Sequence, residues 1–144
     1  MAVPHIPGHR GPGGGTALQY VAMDGEDFGL RPERLYDGQS FHRWTVEDVR
    51  DELAQGRPVV PLVKYRLLPG HESSTIRWDH YVVIFGMAQD GFLYHDPSYQ
   101  DARDGAARWM AEAQLRTAMQ SSSIPGQAVA FGPGAFPRLG VQVA

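Results

Sequence analysis

Two apolar runs separated by a short turn constrain the fold of this chain more than any other feature. HYVVIFGM occupies residues 80–87 and GFLYHDP occupies residues 91–97, and both are rich in the β-branched and aromatic residues that favour strands. The intervening QDG has the chemistry of a hairpin turn. Because Pro97 has no amide donor, the Asp96-Pro97 pair should end the second strand. The segment therefore predicts an antiparallel hairpin whose first strand is central in a sheet.

The same hairpin brings one histidine and one aspartate towards each other. With a turn centred on residues 89–90, Asp96 falls opposite Val83, and His80 lies at the start of the first strand. A histidine is an effective base when a carboxylate fixes its ring orientation and tautomer. His80 and Asp96 are therefore candidates for a base and its orienting residue. The alternative is a strand-end histidine with a satisfied ring and an Asx turn at Asp96.

A helix followed by a strand is predicted before the hairpin. Thr45 can cap the helix, and Asp48 three residues later completes a capping box. Gly56 suits the end of that helix. The next segment, PVVPLVKYRL at residues 58–67, suits a strand, although Pro61 removes an amide donor and therefore indicates a sheet edge or a bulge.

Together these elements predict an α+β domain, with an antiparallel sheet and flanking helices. The predicted strands lie at residues 58–67, 79–87, 91–96 and 127–131. The predicted helices lie at residues 45–55 and 106–120, with a weaker one at 16–23 and a loop between it and residue 40. Five glycines and three prolines in residues 1–15 predict a flexible N-terminus, before a domain at 16–132 and a tail at 133–144.

Composition narrows the possible functions. A net charge of −3 without clustered Lys and Arg argues against nucleic acid as a partner. The N-terminus has no continuous apolar stretch, so the chain as written predicts no membrane span and a cytoplasmic location, and secretion only for a longer form with a leader. The histidines other than His80 are not arranged with a carboxylate as metal ligands, so neither a metal nor another cofactor is predicted. They are His5, His9, His42, His71 and His95.

Four segments in this order resemble the C-terminal half of the C39-like, papain-fold cysteine peptidase domain. They are AQGRPVVPLV, WDHYVVIFGM, GFLYHDPSY and the predicted helix around RWM. In that family an H-h-V-V-h-G strand carries the catalytic histidine, and a D-P after the next strand carries its orienting partner. The resemblance implies that His80 and Asp96 have these two roles. Trp78 is a candidate cleft residue because it lies just before His80, whereas Trp44 and Trp109 are predicted in the core.

The chain departs from that family at the nucleophile. The family's cysteine lies at the start of a helix, after a glutamine that helps hold the oxyanion, and this segment should stand a few tens of residues before Gly13. The 144 residues contain no cysteine. Thr16 follows a glycine run near a possible helix start, but its surroundings resemble the loop after the catalytic helix, so it is predicted to be a cap.

Three functions are therefore considered. The chain could be the histidine and aspartate part of a cysteine peptidase acting on a peptide or protein, inactive as written and completed by an upstream segment. It could instead be a non-catalytic relative that binds peptides in the same cleft. A third possibility is a hydrolase that uses His80 and Asp96 with a hydroxyl group or water. An uncovered sheet face would favour self-association in the absence of the nucleophile helix.

Overall fold

The computed structural model describes residues 30–36 and 43–133. The strands are β1 (Leu30–Tyr36), β2 (Val59–Lys64), β3 (Asp79–Tyr81), β4 (Val83–Ala88), β5 (Gly91–His95), β6 (Arg108–Ala111) and β7 (Ala128–Pro133). The helices are α1 (Val46–Ala54), α2 (Ala102–Gly105) and α3 (Glu112–Gln120), with a 3-10 turn at Tyr65–Leu67 after β2. The predicted helix at 16–23 and the predicted flexible N-terminus at 1–15 lie outside the described residues, as does nearly all of the predicted tail.

The strands form one antiparallel sheet in the order β1-β7-β2-β4-β5-β6, and β3 pairs with β2 beside it. Helix α1 packs against β2 and β4, and helix α3 packs against β2, β5 and β6. The α+β class predicted from the sequence, an antiparallel sheet with flanking helices, is confirmed. No helix in the described part of the chain is long and apolar enough to cross a membrane.

The predicted hairpin is present, with two differences. Ala88 pairs with Gly91, and the two turn residues between them have positive φ, as a tight hairpin turn requires. The first strand, however, is broken at Val82 into β3 and β4. A bulge between Ile84 and Gly86 then shifts the register by one residue. Val83 therefore pairs with His95, and not with Asp96 as the unbulged register predicted.

The prediction that Pro61 marks a sheet edge or a bulge is wrong as regards the edge, because β2 lies between β7 and β4 inside the sheet. On one side Pro61 pairs with Ala128 of β7. On its other side β2 changes partner, since Val59 pairs with β4 and residues 62–64 pair with β3. Pro61 lies at this change of partner, where a missing amide donor interrupts neither pairing.

Two segments differ from the structure that their sequence predicts. Residues 108–111 form strand β6, which pairs with β5, so the helix predicted over 106–120 begins only at Glu112. Within β6 the exposed Trp109 precedes the buried Met110, the alternation of a strand, and pairing with β5 outweighs the helical spacing. Residues 30–36, predicted as loop, form β1 because they pair with β7.

The main core lies between the helices and one face of the sheet. Its fully buried side chains include Val59 of β2, Tyr94 of β5 and Leu115 of α3. The next residue along β2, Val60, lies in a second cluster with Val129 and Phe131 of β7. Because successive side chains of a strand point to opposite faces, this second cluster lies on the other face of the sheet.

Candidate active site

His80 and Asp96 meet at the end of the hairpin, where β3 and β5 bring them together. His80 lies on β3 opposite Val63 of β2, and Asp96 follows the last residue of β5. The Nε2 atom of His80 lies 2.8 Å from Oδ1 of Asp96. The Asp96 side chain is fully buried, whereas 19% of the His80 side chain is exposed. The histidine is therefore the member of this pair that a substrate can reach.

A second histidine binds the other oxygen of the same carboxylate. Nε2 of His71 lies 2.7 Å from Oδ2 of Asp96. On the Oδ1 side, Ser98 donates from both its backbone amide, over 2.9 Å, and its hydroxyl group, over 2.7 Å. The sequence predicts no role for His71, because it lies in a turn-rich segment without periodicity and 25 residues from Asp96. No local sequence signal identifies this contact.

The hydrogen bonds to Asp96 decide its charge and the tautomers of both histidines. Burial alone would raise the pKa of Asp96, but hydrogen bonds from His80, Ser98 and His71 outweigh burial and hold that pKa well below its usual range. Asp96 is therefore ionised at neutral pH and can only accept hydrogen bonds. Both histidines must carry a proton on Nε2, so that Nδ1 of a neutral His80 ring has a free electron pair.

Aromatic rings hold the two histidines in place. Tyr65, in the 3-10 turn after β2, stacks on His71 with 4.1 Å between ring centroids and an interplanar angle of 14°. The same tyrosine meets the ring of His80 edge-on, with 5.3 Å between centroids. Tyr99 lies against His71 on a tilt, also at 5.3 Å. Ring contacts of this kind favour particular ring orientations, which a proton-transfer site requires.

The three tryptophans occupy different environments. Trp44 is buried, as predicted, and its indole Nε1 donates to the backbone carbonyl of Arg34 over 2.7 Å. Trp109 is exposed, so its predicted place in the core is wrong. Trp78 is 67% exposed just before β3 and two residues from His80. This position leaves Trp78 available to a ligand that approaches His80. Thr16 lies outside the described residues.

Within residues 30–36 and 43–133 there is no group of three or more acidic or histidine side chains arranged to hold a metal ion. Both Nε2 atoms that face Asp96 are occupied by hydrogen bonds to its carboxylate. A neutral His80 ring held by a buried carboxylate has the arrangement that proton transfer requires.

The fold matches a solved structure. A Bacillus anthracis protein described as a "putative C39-like peptidase" superposes with a TM-score of 0.54 and 15% sequence identity, over 82% of this chain and 60% of that one. This chain therefore spans about three-fifths of the length of that protein. At this identity the likeness shows the fold alone. No family model matches the chain, and no curated protein matches it.

Proposed function

We propose that this chain supplies the histidine and aspartate half of a cysteine peptidase site of the C39-like type. The main support for this proposal is the hydrogen bond from Nε2 of the accessible His80 to the buried, ionised Asp96. This bond leaves Nδ1 of His80 available to accept a proton. The C39-like fold supports this proposal. Because the 144 residues contain no cysteine, the thiol would come from another segment or another chain, and these residues alone would be inactive.

The geometry suggests how such a site would work. A thiol placed near Nδ1 of His80 loses its proton to that nitrogen, and the Asp96 anion stabilises the resulting imidazolium. The thiolate attacks the carbonyl carbon of a peptide bond and forms a tetrahedral intermediate. His80 then returns the proton to the leaving amine as the carbon–nitrogen bond breaks. Water, activated by the same histidine, hydrolyses the thioester and releases the acid and the thiol.

A second candidate function is peptide binding without catalysis. The exposure of Trp78 beside His80 favours it, because exposed tryptophan is a frequent anchor for bound peptides. A hydrolase that uses a hydroxyl group or water in place of a thiol is a third candidate, and it needs only the His80 and Asp96 pair.

One experiment separates the three candidates. The gene is read upstream for an in-frame segment with a glutamine and a cysteine a few residues apart, and the extended chain is assayed on a peptide library. We expect hydrolysis that iodoacetamide abolishes and that His80→Ala lowers by about 100-fold or more. His95→Asn is the matched control and should leave activity unchanged. Its new amide oxygen can still accept the hydrogen bond that the Ala107 amide donates to His95 Nδ1.

Each alternative gives a different result. Hydrolysis that resists alkylation but is lost in His80→Ala would favour the hydroxyl or water mechanism. Absence of an upstream cysteine, together with peptide binding by residues 1–144, would favour the binding module. Equal activity in His80→Ala and the unsubstituted chain would overturn the assignment of His80 as the base.

A further inference from the structure

We infer that His71 is a positioning residue, which holds the Asp96 carboxylate so that Oδ1 faces His80. The catalytic consequence rests on the proposed peptidase function, but the geometry does not. The unusual feature of this cluster is a single buried carboxylate that binds two histidines through its two different oxygens.

An aspartate carboxylate needs donors on both oxygens to keep one orientation. Rotation about its terminal torsion is broad and roughly two-fold, so donors on one oxygen alone leave the plane of the group poorly defined. Ser98 and His80 bind Oδ1, and His71 Nε2 binds Oδ2 at 2.7 Å. Among these donors, His71 alone holds Oδ2, and it therefore sets the plane in which Oδ1 meets His80.

His71 is itself held rigidly enough to act in this way. Its side chain is 8% exposed, and its ring stacks on Tyr65. Its backbone amide donates to the carbonyl of Leu68 over 3.1 Å. Besides Asp96, the Ser98 hydroxyl group lies 3.3 Å from its Nε2. The ring therefore directs its Nε2 proton to the carboxylate and has little room to turn away.

Burial distinguishes the roles of the two histidines. The side chain of His71 is less than half as exposed as that of His80, at 8% against 19%. A substrate and a thiol can approach His80 more easily than His71. His71 thus acts on the reaction through Asp96 and not by contact with the reacting atoms.

The test is nuclear magnetic resonance of the histidine ring nitrogens in the full 144-residue chain. In the unsubstituted protein we expect both His71 and His80 as single tautomers with the proton on Nε2. His71→Phe keeps an aromatic ring for stacking on Tyr65 but removes the donor, and His71→Gln keeps a donor at a similar reach. We expect the Nε2 proton of His80 to exchange with water about tenfold faster or more in His71→Phe, and His71→Gln to restore slow exchange.

Three results would overturn the inference. The first is a His71 ring protonated on Nδ1 in the unsubstituted protein, which needs no variant and no folding control. The second is an unchanged His80 signal in His71→Phe. The third is a folded His71→Gln that behaves like His71→Phe, because ring packing and not donation would then be responsible. Folding is monitored by the near-ultraviolet circular dichroism of the buried Trp44.

The extended, cysteine-containing chain distinguishes this inference from the proposed function. With activity present, His71→Phe should lower kcat about tenfold with little change in KM, and His71→Gln should recover most of it. Absence of hydrolysis with the expected ring signals would count against the peptidase function alone. Hydrolysis that is the same in His71→Phe as in the unsubstituted chain would count against the positioning role alone.

Discussion

The backbone amide of Asp96 donates to the carbonyl of Gly105 over 2.7 Å, and a Cβ atom at Gly105 would overlap the carbonyl oxygen of Asp96. The glycine ends the short helix α2 and is buried. Its missing side chain is therefore what lets α2 approach the segment that carries the carboxylate. The packing of α2 at Gly105 therefore helps to fix the position of Asp96.

Substitution of this glycine should disturb both stability and the site. We expect Gly105→Ala to lower the free energy of unfolding by about 1–3 kcal/mol, because the new methyl group must displace backbone atoms. Urea denaturation measures this loss. Gly86→Ala is the control, since its Cβ would make only ordinary contacts with Leu93, and it should leave stability unchanged or slightly higher. Equal effects of the two substitutions would contradict the steric explanation.

Asp96 should make stability depend on acid pH. The pKa of Asp96 is lower in the folded state than in the unfolded state. Its contribution to stability is therefore fully present above the unfolded pKa, about 4, and is lost as the pH falls towards the folded pKa. Asp96→Asn should cost roughly 1.5–3 kcal/mol at neutral pH, and this difference should shrink between about pH 5 and pH 3. Chemical denaturation of both proteins across that range provides the measurement. A difference that is constant with pH would show that the carboxylate charge is not responsible.

A buried carboxylate away from the site should matter for stability. Glu52 of α1 accepts hydrogen bonds from Arg57, at 2.6 Å from its Nε, and from Arg34 of β1, at 3.2 Å. The bond from Arg57 contributes most to the lowered pKa of Glu52. Arg57→Ala should clearly lower the thermal unfolding midpoint, because it leaves the buried Glu52 carboxylate with fewer partners.

The control for that substitution is an ion pair on the surface. Arg103 pairs with Asp101, and its side chain is 90% exposed. Arg103→Ala should leave the thermal unfolding midpoint almost unchanged, because an exposed ion pair contributes little to stability. A similar loss in Arg103→Ala and Arg57→Ala would indicate that burial of Glu52 has no special effect.

Trp78 should contribute to ligand binding without contributing to the core. Because it is exposed, Trp78→Ala should change the free energy of unfolding by less than about 0.5 kcal/mol. If peptides bind beside His80, the same substitution should weaken binding by at least about tenfold in calorimetric titration. Trp109→Ala, at another exposed tryptophan on β6, should leave binding unchanged. If both substitutions weakened peptide binding equally, Trp78 would have no specific role in binding a peptide beside His80.

The near-ultraviolet signal should report cooperative folding of the chain. Trp44 is buried and hydrogen-bonded, whereas Trp78 and Trp109 are exposed. We expect one cooperative thermal transition for residues 1–144, whose amplitude falls by more than about half in Trp44→Phe. A gradual loss of signal without a transition would mean that the chain does not fold independently.

Features that depend on neighbouring residues could be predicted from the sequence. The Thr45 side chain accepts from the amide of Asp48, and the Asp48 carboxylate accepts from the amide of Thr45, as the capping-box pattern predicts. The tight turn between β4 and β5 also follows from local residue chemistry. These interactions form between residues a few positions apart, so local propensity and short-range hydrogen bonding decide them. His80 and Asp96 lie at the open end of the hairpin, so the sequence also predicts that they lie near each other.

Features that depend on distant partners were decided by the tertiary structure alone. Strand β6 forms because β5 offers it a partner, although its residues have helical spacing. The bulge in β4 moves Asp96 one position beyond its predicted partner. His71 reaches the carboxylate from a segment whose own sequence predicts only a turn. The sequence determined by itself the α+β class, the hairpin and the two residues at its end. Packing determined which third side chain completes the cluster, because contacts across the sheet satisfy hydrogen bonds and burial that no local pattern encodes.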